Sequence, residues 1–191
     1  MHEPVVVLLR GVNVGGHNKV PMAELRSALN EAGFVSVRTY VQSGNVVALH
    51  PSHDASTAAD EVRAVLESAF GVSVPVLGVD RTELRRIIDA NPYPAVTDPK
   101  RLHAIVLPSE PEEHDRAAVA QLQAASDSRG SRDAVAVIGR IAYLHTPDGF
   151  GTSDLARKLT GGRGPLAAGT ARNWATMTAL MAMADDRVTD P

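Results

Sequence analysis

The chain contains no cysteine. That removes disulfides, thiol nucleophiles, iron–sulfur clusters and thiolate zinc sites together. Aromatic residues are also scarce, at 4% of 191 positions, so a surface of stacked rings for nucleic-acid bases has little to draw on. No sign of charge dominates. Nineteen Lys and Arg against twenty-two Asp and Glu leave a formal −3, which disfavours nucleic acid as a partner. Long hydrophobic runs are missing too. "PVVVLLRG" near the start has only about five apolar residues in a row and no basic leader, short of a signal peptide or a membrane span. The expected compartment is the cytoplasm. No Gly-x-Ser-x-Gly elbow and no regular metal signature occur, and no carboxylates form an apolar-flanked pair suited to acid–base work. The sequence therefore implies no cofactor and no metal.

What is present is ordinary globular material. With 44% hydrophobic and 21% charged residues, 191 positions can build one large or two small domains with real cores. Residues 4–10 read as a strand. Met22, Leu25, Leu29 and Ala32 then recur at helical spacing, Pro21 suits the first turn and Gly33 ends the element. "VSVRTYVQSGNVVAL" reads as a hairpin about Gln42, Ser43, Gly44 and Asn45. A second helix follows over about 57–70 and stops at Gly71; "VSVPVLGV" is then a strand, placed at an edge by Pro75. Strand, helix, strand, strand, helix, strand is the split βαβ, or ferredoxin-like, order.

Asp80 with Glu83 is a capping box for a further helix, and "ANPYPAVTDPK" reads as the boundary region between two halves. The second half partly repeats the order. "RLHAIVL" is a strand, and Ser109 to Glu112 is a capping box opening a helix to about Ala125. "AVAVIGR" and "IAYLHT" form a hairpin about Gly139 and Arg140, "SDLARKL" is a short helix, and a last helix starts near Asn173. The expected fold is α+β, with two ferredoxin-like halves whose antiparallel sheets carry helices on one face. The division expected is 1–80 and 81–191, the second half having a short or missing last strand.

"RGVNVGGHNK" is the first stretch that could carry chemistry. It is not a Walker loop, because Gly16 is followed by His17 and Lys19 is not followed by Ser or Thr. The glycines do not have the dinucleotide register either. Gly11, Gly15 and Gly16 nonetheless let main-chain N–H groups converge before a helix, with Arg10, His17 and Lys19 adding positive charge and Asn13 a polar amide. The loop is thus an anion cradle or a tight strand–helix corner. In the hairpin turn, Gln42, Ser43 and Asn45 suit a polar ligand, and turn chemistry also accounts for such residues. His50 and His53 form an HxxH pair in a proline-containing loop, read as a surface pair and not a metal site. His103 and His145 each interrupt an apolar strand, as structural or site histidines. Arg172 lies just before the last helix, near its positive end, where an arginine calls for an anion or a carboxylate.

"LLRGVNVGGHNKVPMAELRSALNEAGFVSVRTYVQSGNVV", with "PKRLHAIVL", "YLHTPDGFGTSDL" and "TARNW", resembles the bacterial domain-of-unknown-function family DUF1697 over essentially the whole chain. The resemblance implies a cytoplasmic α+β protein of two ferredoxin-like halves and brings no established activity, substrate or catalytic residues. One departure stands out. The family's helix after the second glycine corner usually begins with a basic residue followed by Ser-Lys, whereas this chain has Thr152, Ser153 and Asp154.

Three functions fit this reading. The first is a binding protein for a small anionic metabolite, using Arg10, Asn13, Lys19, Gln42, Ser43, Asn45 and Arg172. The second is an acylphosphatase-like hydrolase or phosphate-transfer enzyme, with Arg10, Lys19 and Asn45 in the corresponding places; this rests on fold analogy, and that family's own loop motif is lacking. The third is an RNA- or protein-interaction module using an open sheet face, including self-association as a homo-oligomer.

Overall fold

A computed structural model describes residues 3–186. The order is β1 (Pro4–Leu9), α1 (Met22–Glu31), β2 (Val35–Thr39), β3 (Asn45–Leu49), α2 (Ala55–Phe70), β4 (Val76–Asp80) and α3 (Arg81–Asp89). It continues with β5 (Leu102–Val106), α4 (Glu113–Asp127), β6 (Ala134–Ile138), β7 (Ile141–His145), α5 (Asp154–Thr160), β8 (Thr170–Asn173) and α6 (Trp174–Asp185). The sheets run β2-β3-β1-β4 and β6-β7-β5-β8, every neighbouring pair antiparallel. Each is the ferredoxin-like arrangement, and the last strand of the second half is present in β8. Two compact units comprise 3–86 with 178–186, and 87–177. Their limits fall inside α3 and α6.

In the first unit the apolar stripe of α1 and α2, with Leu25, Leu29, Val62 and Leu66, packs on Val5, Val7 and Leu9 of β1. Asp54 caps α2 by accepting from the Thr57 N–H at 2.6 Å, and Gly71 ends it in the left-handed region. The start of α2 lies hard against β4. A Cβ on Gly78 would stand 1.8 Å from the Ala55 carbonyl oxygen, so only glycine fits there. In the second unit Val119, Leu155 and Leu159 cover Ile105, Ala142 and Leu144 in the same way.

The central strands are buried on both faces. Val6 and Leu8, which point away from α1 and α2, are each 1% exposed, and Ala104 and Val106 are fully buried. The unbroken run VVVLL is the signature of a strand hidden on both sides. Tyr143 of β7 is 1% exposed and donates to the Ile87 carbonyl at 2.9 Å, whereas Tyr40, expected in a strand, lies just past β2. Burial pushes the Tyr143 hydroxyl up to about 12.

Two details of the sequence reading change. The helix expected from a Ser109 cap begins only at Glu113, with no side-chain cap bond from Glu112. Pro111 is the reason, because a proline disfavours helical conformation in the residue before it. The His50/His53 pair is not a surface pair. His50 is 4% exposed, its ring nitrogens lie 2.7 Å from Ser52 Oγ and 2.9 Å from Glu61 Oε2, and its ring packs on Phe34.

Tyr143→Phe keeps the ring packing and strands the buried Ile87 carbonyl. Chemical denaturation should show a loss of about 1 kcal/mol, with the slope of the transition unchanged.

Candidate functional site

β1 ends between two parts of its own unit. The Leu9 N–H donates to the Gly44 carbonyl at 2.8 Å and the Arg10 N–H to the Pro75 carbonyl at 2.9 Å. The chain then leaves the sheet through Gly11, at φ +73°. Val12 and Val20, both fully buried, pin the two ends of the following loop into the core. Between them, the Asn13 N–H donates to the Asn18 carbonyl at 3.1 Å, and the Asn18 side-chain amide closes on the Gly11 carbonyl at 3.1 Å. Both asparagines sit in the left-handed region, which Asn tolerates better than most residues.

Asn13 is the clasp of this corner. Its Oδ1 accepts the Val20 N–H at 2.8 Å, while its Nδ2 donates to the Val20 and Gln42 carbonyls at 2.9 and 2.8 Å. The last bond ties the loop to the β2–β3 turn. Gly44 completes the junction, because at φ +76° a Cβ there would lie 2.7 Å from Leu9 Cβ and 2.9 Å from Val12 Cγ2. Asn45 is fully buried, its Nδ2 donating to the Tyr40 carbonyl at 3.0 Å and lying 3.4 Å from Ser43 Oγ. The amides of Asn13 and Asn45 thus serve the main chain of the corner. Arg10 is half-buried, and His17, Lys19, Gln42 and Ser43 are exposed around it. Gly15 and Gly16, both at positive φ, form the exposed tip.

The β7–α5 corner of the second unit, the counterpart of β3–α2, gathers its cations on a carboxylate. Ser153 caps α5 by accepting the Ala156 N–H at 2.8 Å, and its hydroxyl donates to Asp133 at 2.7 Å. Asp154 draws in Lys158 at 2.8 Å, Arg129 at 3.3 Å and Arg157. Lys158 foremost, then Arg157, holds its carboxyl below the usual carboxylate range. By contrast Lys19 and His17 belong to no ion pair among the described residues.

The second-unit candidates lie on opposite faces of their sheet. His103 shares the helix-covered face with Ile105, and its ring lies 4.3 Å from that of Phe150. Its Nδ1 is buried and has no partner, and burial pushes the imidazole down to about 4. His145 lies on the other face, 5.9 Å from the Tyr93 ring. Arg172 lies in β8 opposite Ala104, just before α6 as expected; its Nη1 donates to the Ala171 carbonyl at 2.9 Å and burial pushes it down to about 10. The α6 cap is Asn173, whose Oδ1 accepts the Thr176 N–H at 2.9 Å. Arg10, Asn13, Lys19, Gln42, Ser43 and Asn45 therefore gather at one corner of the first unit, whereas Arg172 belongs to the second. Sequence reasoning missed Asn18; an Asn in a glycine-rich loop, able to take positive φ, was the available signal.

Two repeats of the βαββαβ unit, each on a four-stranded antiparallel sheet, define an α+β protein of paired ferredoxin-like halves. The model of the family described as "Protein of unknown function (DUF1697)" matches residues 2–143, and the chain belongs to that family. The solved structure of the conserved bacterial protein SP0830 from Streptococcus pneumoniae is similar in fold, with a TM-score of 0.66 at 22% identity, covering 96% of this chain and 99% of that one. No curated protein matches this chain. No described helix is long and apolar enough to cross a membrane.

Two outcomes follow from this geometry. Gly44→Ala should destabilise the protein by roughly 2–4 kcal/mol in a thermal or urea melt, from backbone strain plus the Leu9 and Val12 clashes. His103 has a folded-state pKa below its unfolded one, so its contribution is complete above pH 6.5 and is lost as pH falls toward 4. His103→Gln should therefore flatten the acid side of the stability profile, retaining about 1 kcal/mol more than the parent between pH 7.5 and 5.5.

Proposed function

We propose that the β1–α1 corner binds a small anion, a phosphate- or carboxylate-bearing metabolite, in the cytoplasm. One observation carries the reading: a loop held rigid by its own asparagine amides presents Lys19 and His17, exposed and in no ion pair among the described residues, beside Arg10. A preformed loop costs little ordering on binding, and the Lys19 ammonium beside glycine amides at positive φ favours negative charge. Gln42 and Ser43, joined to the loop through Asn13, supply polar groups at the rim.

This reading is preferred to an acylphosphatase-like hydrolase for a specific reason. Such chemistry would call on Asn45, and that side chain is fully buried with its amide on the Tyr40 carbonyl. The site offers positive charge and main-chain N–H groups, which bind an anion without activating a nucleophile.

Titration calorimetry against a panel of phosphate- and carboxylate-bearing metabolites tests this. At least one should bind in the micromolar to millimolar range, with Arg10→Ala and Lys19→Ala each weakening it by about 5- to 30-fold. A silent panel, or affinities indifferent to both substitutions, rejects the proposal.

A further inference from the structure

The two sheets have four edge strands, β2, β4, β6 and β8, and an edge with free main-chain groups is a template for pairing. Three of them are blunted. β2 is irregular, its register shifting between Val35 and Arg38 where Ser36 takes φ +56°, and Arg38 meets Asp186 at 3.7 Å. β4 follows Pro75, and the Arg63 guanidinium lies on its Val76 carbonyl at 3.3 Å. β8 has four residues and runs directly into α6. β6 has none of these features. Its sequence is Ala-Val-Ala-Val-Ile, its ladder with β7 is unbroken, and Ile138 is 44% exposed.

The closing pair of the β6–β7 hairpin is Ile138 with Ile141, so Ala134, Ala136 and Ile138 direct their main-chain groups inward. Val135 and Val137 direct theirs outward. Gln123 of α4 occupies the first part of this edge as a strand would: its Nε2 donates to the Asp133 carbonyl at 2.9 Å and its Oε1 accepts the Val135 N–H at 2.9 Å. The Val135 carbonyl and both main-chain groups of Val137 meet no partner among the described residues. Alongside them runs an open groove of about 500 Å³ between α4 and β6, lined by Val119, Ala120, Ala124, Val135 and Val137. Charged side chains stand at its two ends: Arg116 sits at the Gly139 end, 3.4 Å from that carbonyl and 3.2 Å from Glu110, and Asp127 lies beside Gln123 at the other.

We propose that this edge pairs with a second copy of the chain, β6 against β6 antiparallel, about a twofold axis at Val137. Under that axis the Val137 N–H donates to the carbonyl of Val137 of the partner subunit, and the reverse bond forms by symmetry. The same rotation brings the Arg116 end of one groove to the Asp127 end of the other and lays the exposed alanines of the two α4 helices together. Hydrogen bonds, charge and apolar surface are all self-complementary, as a twofold interface requires. The proposal is independent of the anion site.

Light scattering coupled to size exclusion, from about 10 to 200 μM, reads the assembly. The wild type should show twice the chain mass. Val137→Pro removes an outward N–H that no internal bond uses, and should give a monomer with an unchanged melting temperature. Arg116→Glu and Asp127→Arg should each weaken the dimer by about 3- to 10-fold, and an equimolar mixture of the two should recover it, because each interface then joins opposite charges. The charge pair decides the matter should Val137→Pro fail to fold. A wild type that remains monomeric, a dimer indifferent to these substitutions, or capture of an unrelated extended peptide by β6 in place of a second copy would overturn the inference.

Discussion

In both units the central strand must satisfy two demands at once: its main chain bonds a strand on either side, and its side chains are withdrawn from water on both faces. β1 meets them with Val5, Val7 and Leu9 against α1 and α2 and with Val6 and Leu8 on the opposite face. β5 does so with Ile105 under α4 and α5 and with Ala104 and Val106 behind. A strand so placed tolerates no polar side chain without a partner, since an unpaired buried polar group costs on the order of 1–3 kcal/mol. Polar chemistry is consequently displaced to where the central strands end.

The two corners where those strands or their neighbours give way to helices have taken different courses. In the first unit the asparagines are spent on the loop itself: Asn13 spans from Val20 to Gln42, and Asn18 closes onto Gly11. Lys19, exposed beside them, belongs to no ion pair among the described residues. In the second unit Asp154 collects Lys158, Arg129 and Arg157, and Ser153 satisfies the helix start. The same fold thus carries one corner with exposed cations and one whose cations converge on a carboxylate. Asp154 accounts for the second.

Much of this was legible in the sequence because the signals were local. Helical spacing in Met22, Leu25 and Leu29 gave α1; Asp80 three residues before Glu83 gave the start of α3, and the Glu83 N–H does donate to Asp80 at 2.7 Å. The hairpin at Gly139 was evident from two β-rich runs around it. Other features were not legible because they depend on atoms distant in the chain. Nothing near His50 announces that Glu61 and Phe34 will enclose it. Arg172 reads as a residue just before a helix, and only the fold pairs it with Ala104. Gln123 looks like an exposed helical residue, and only the fold sets it against the edge of β6.

By itself, then, the sequence determined the first βαββαβ repeat, the second as far as its last strand, and the concentration of glycine and positive charge after β1. Each follows from periodicity, propensity or composition within a few neighbouring residues. The tertiary structure alone decided what the polar side chains do. Asn13 and Asn45 are clasps because Gln42 and Tyr40 present carbonyls to them, and Gly44 is required because Leu9 and Val12 pass beneath it. Hydrogen bonding and steric exclusion act over a few ångströms, so the partner, and with it the role, exists only once the chain has brought those atoms together.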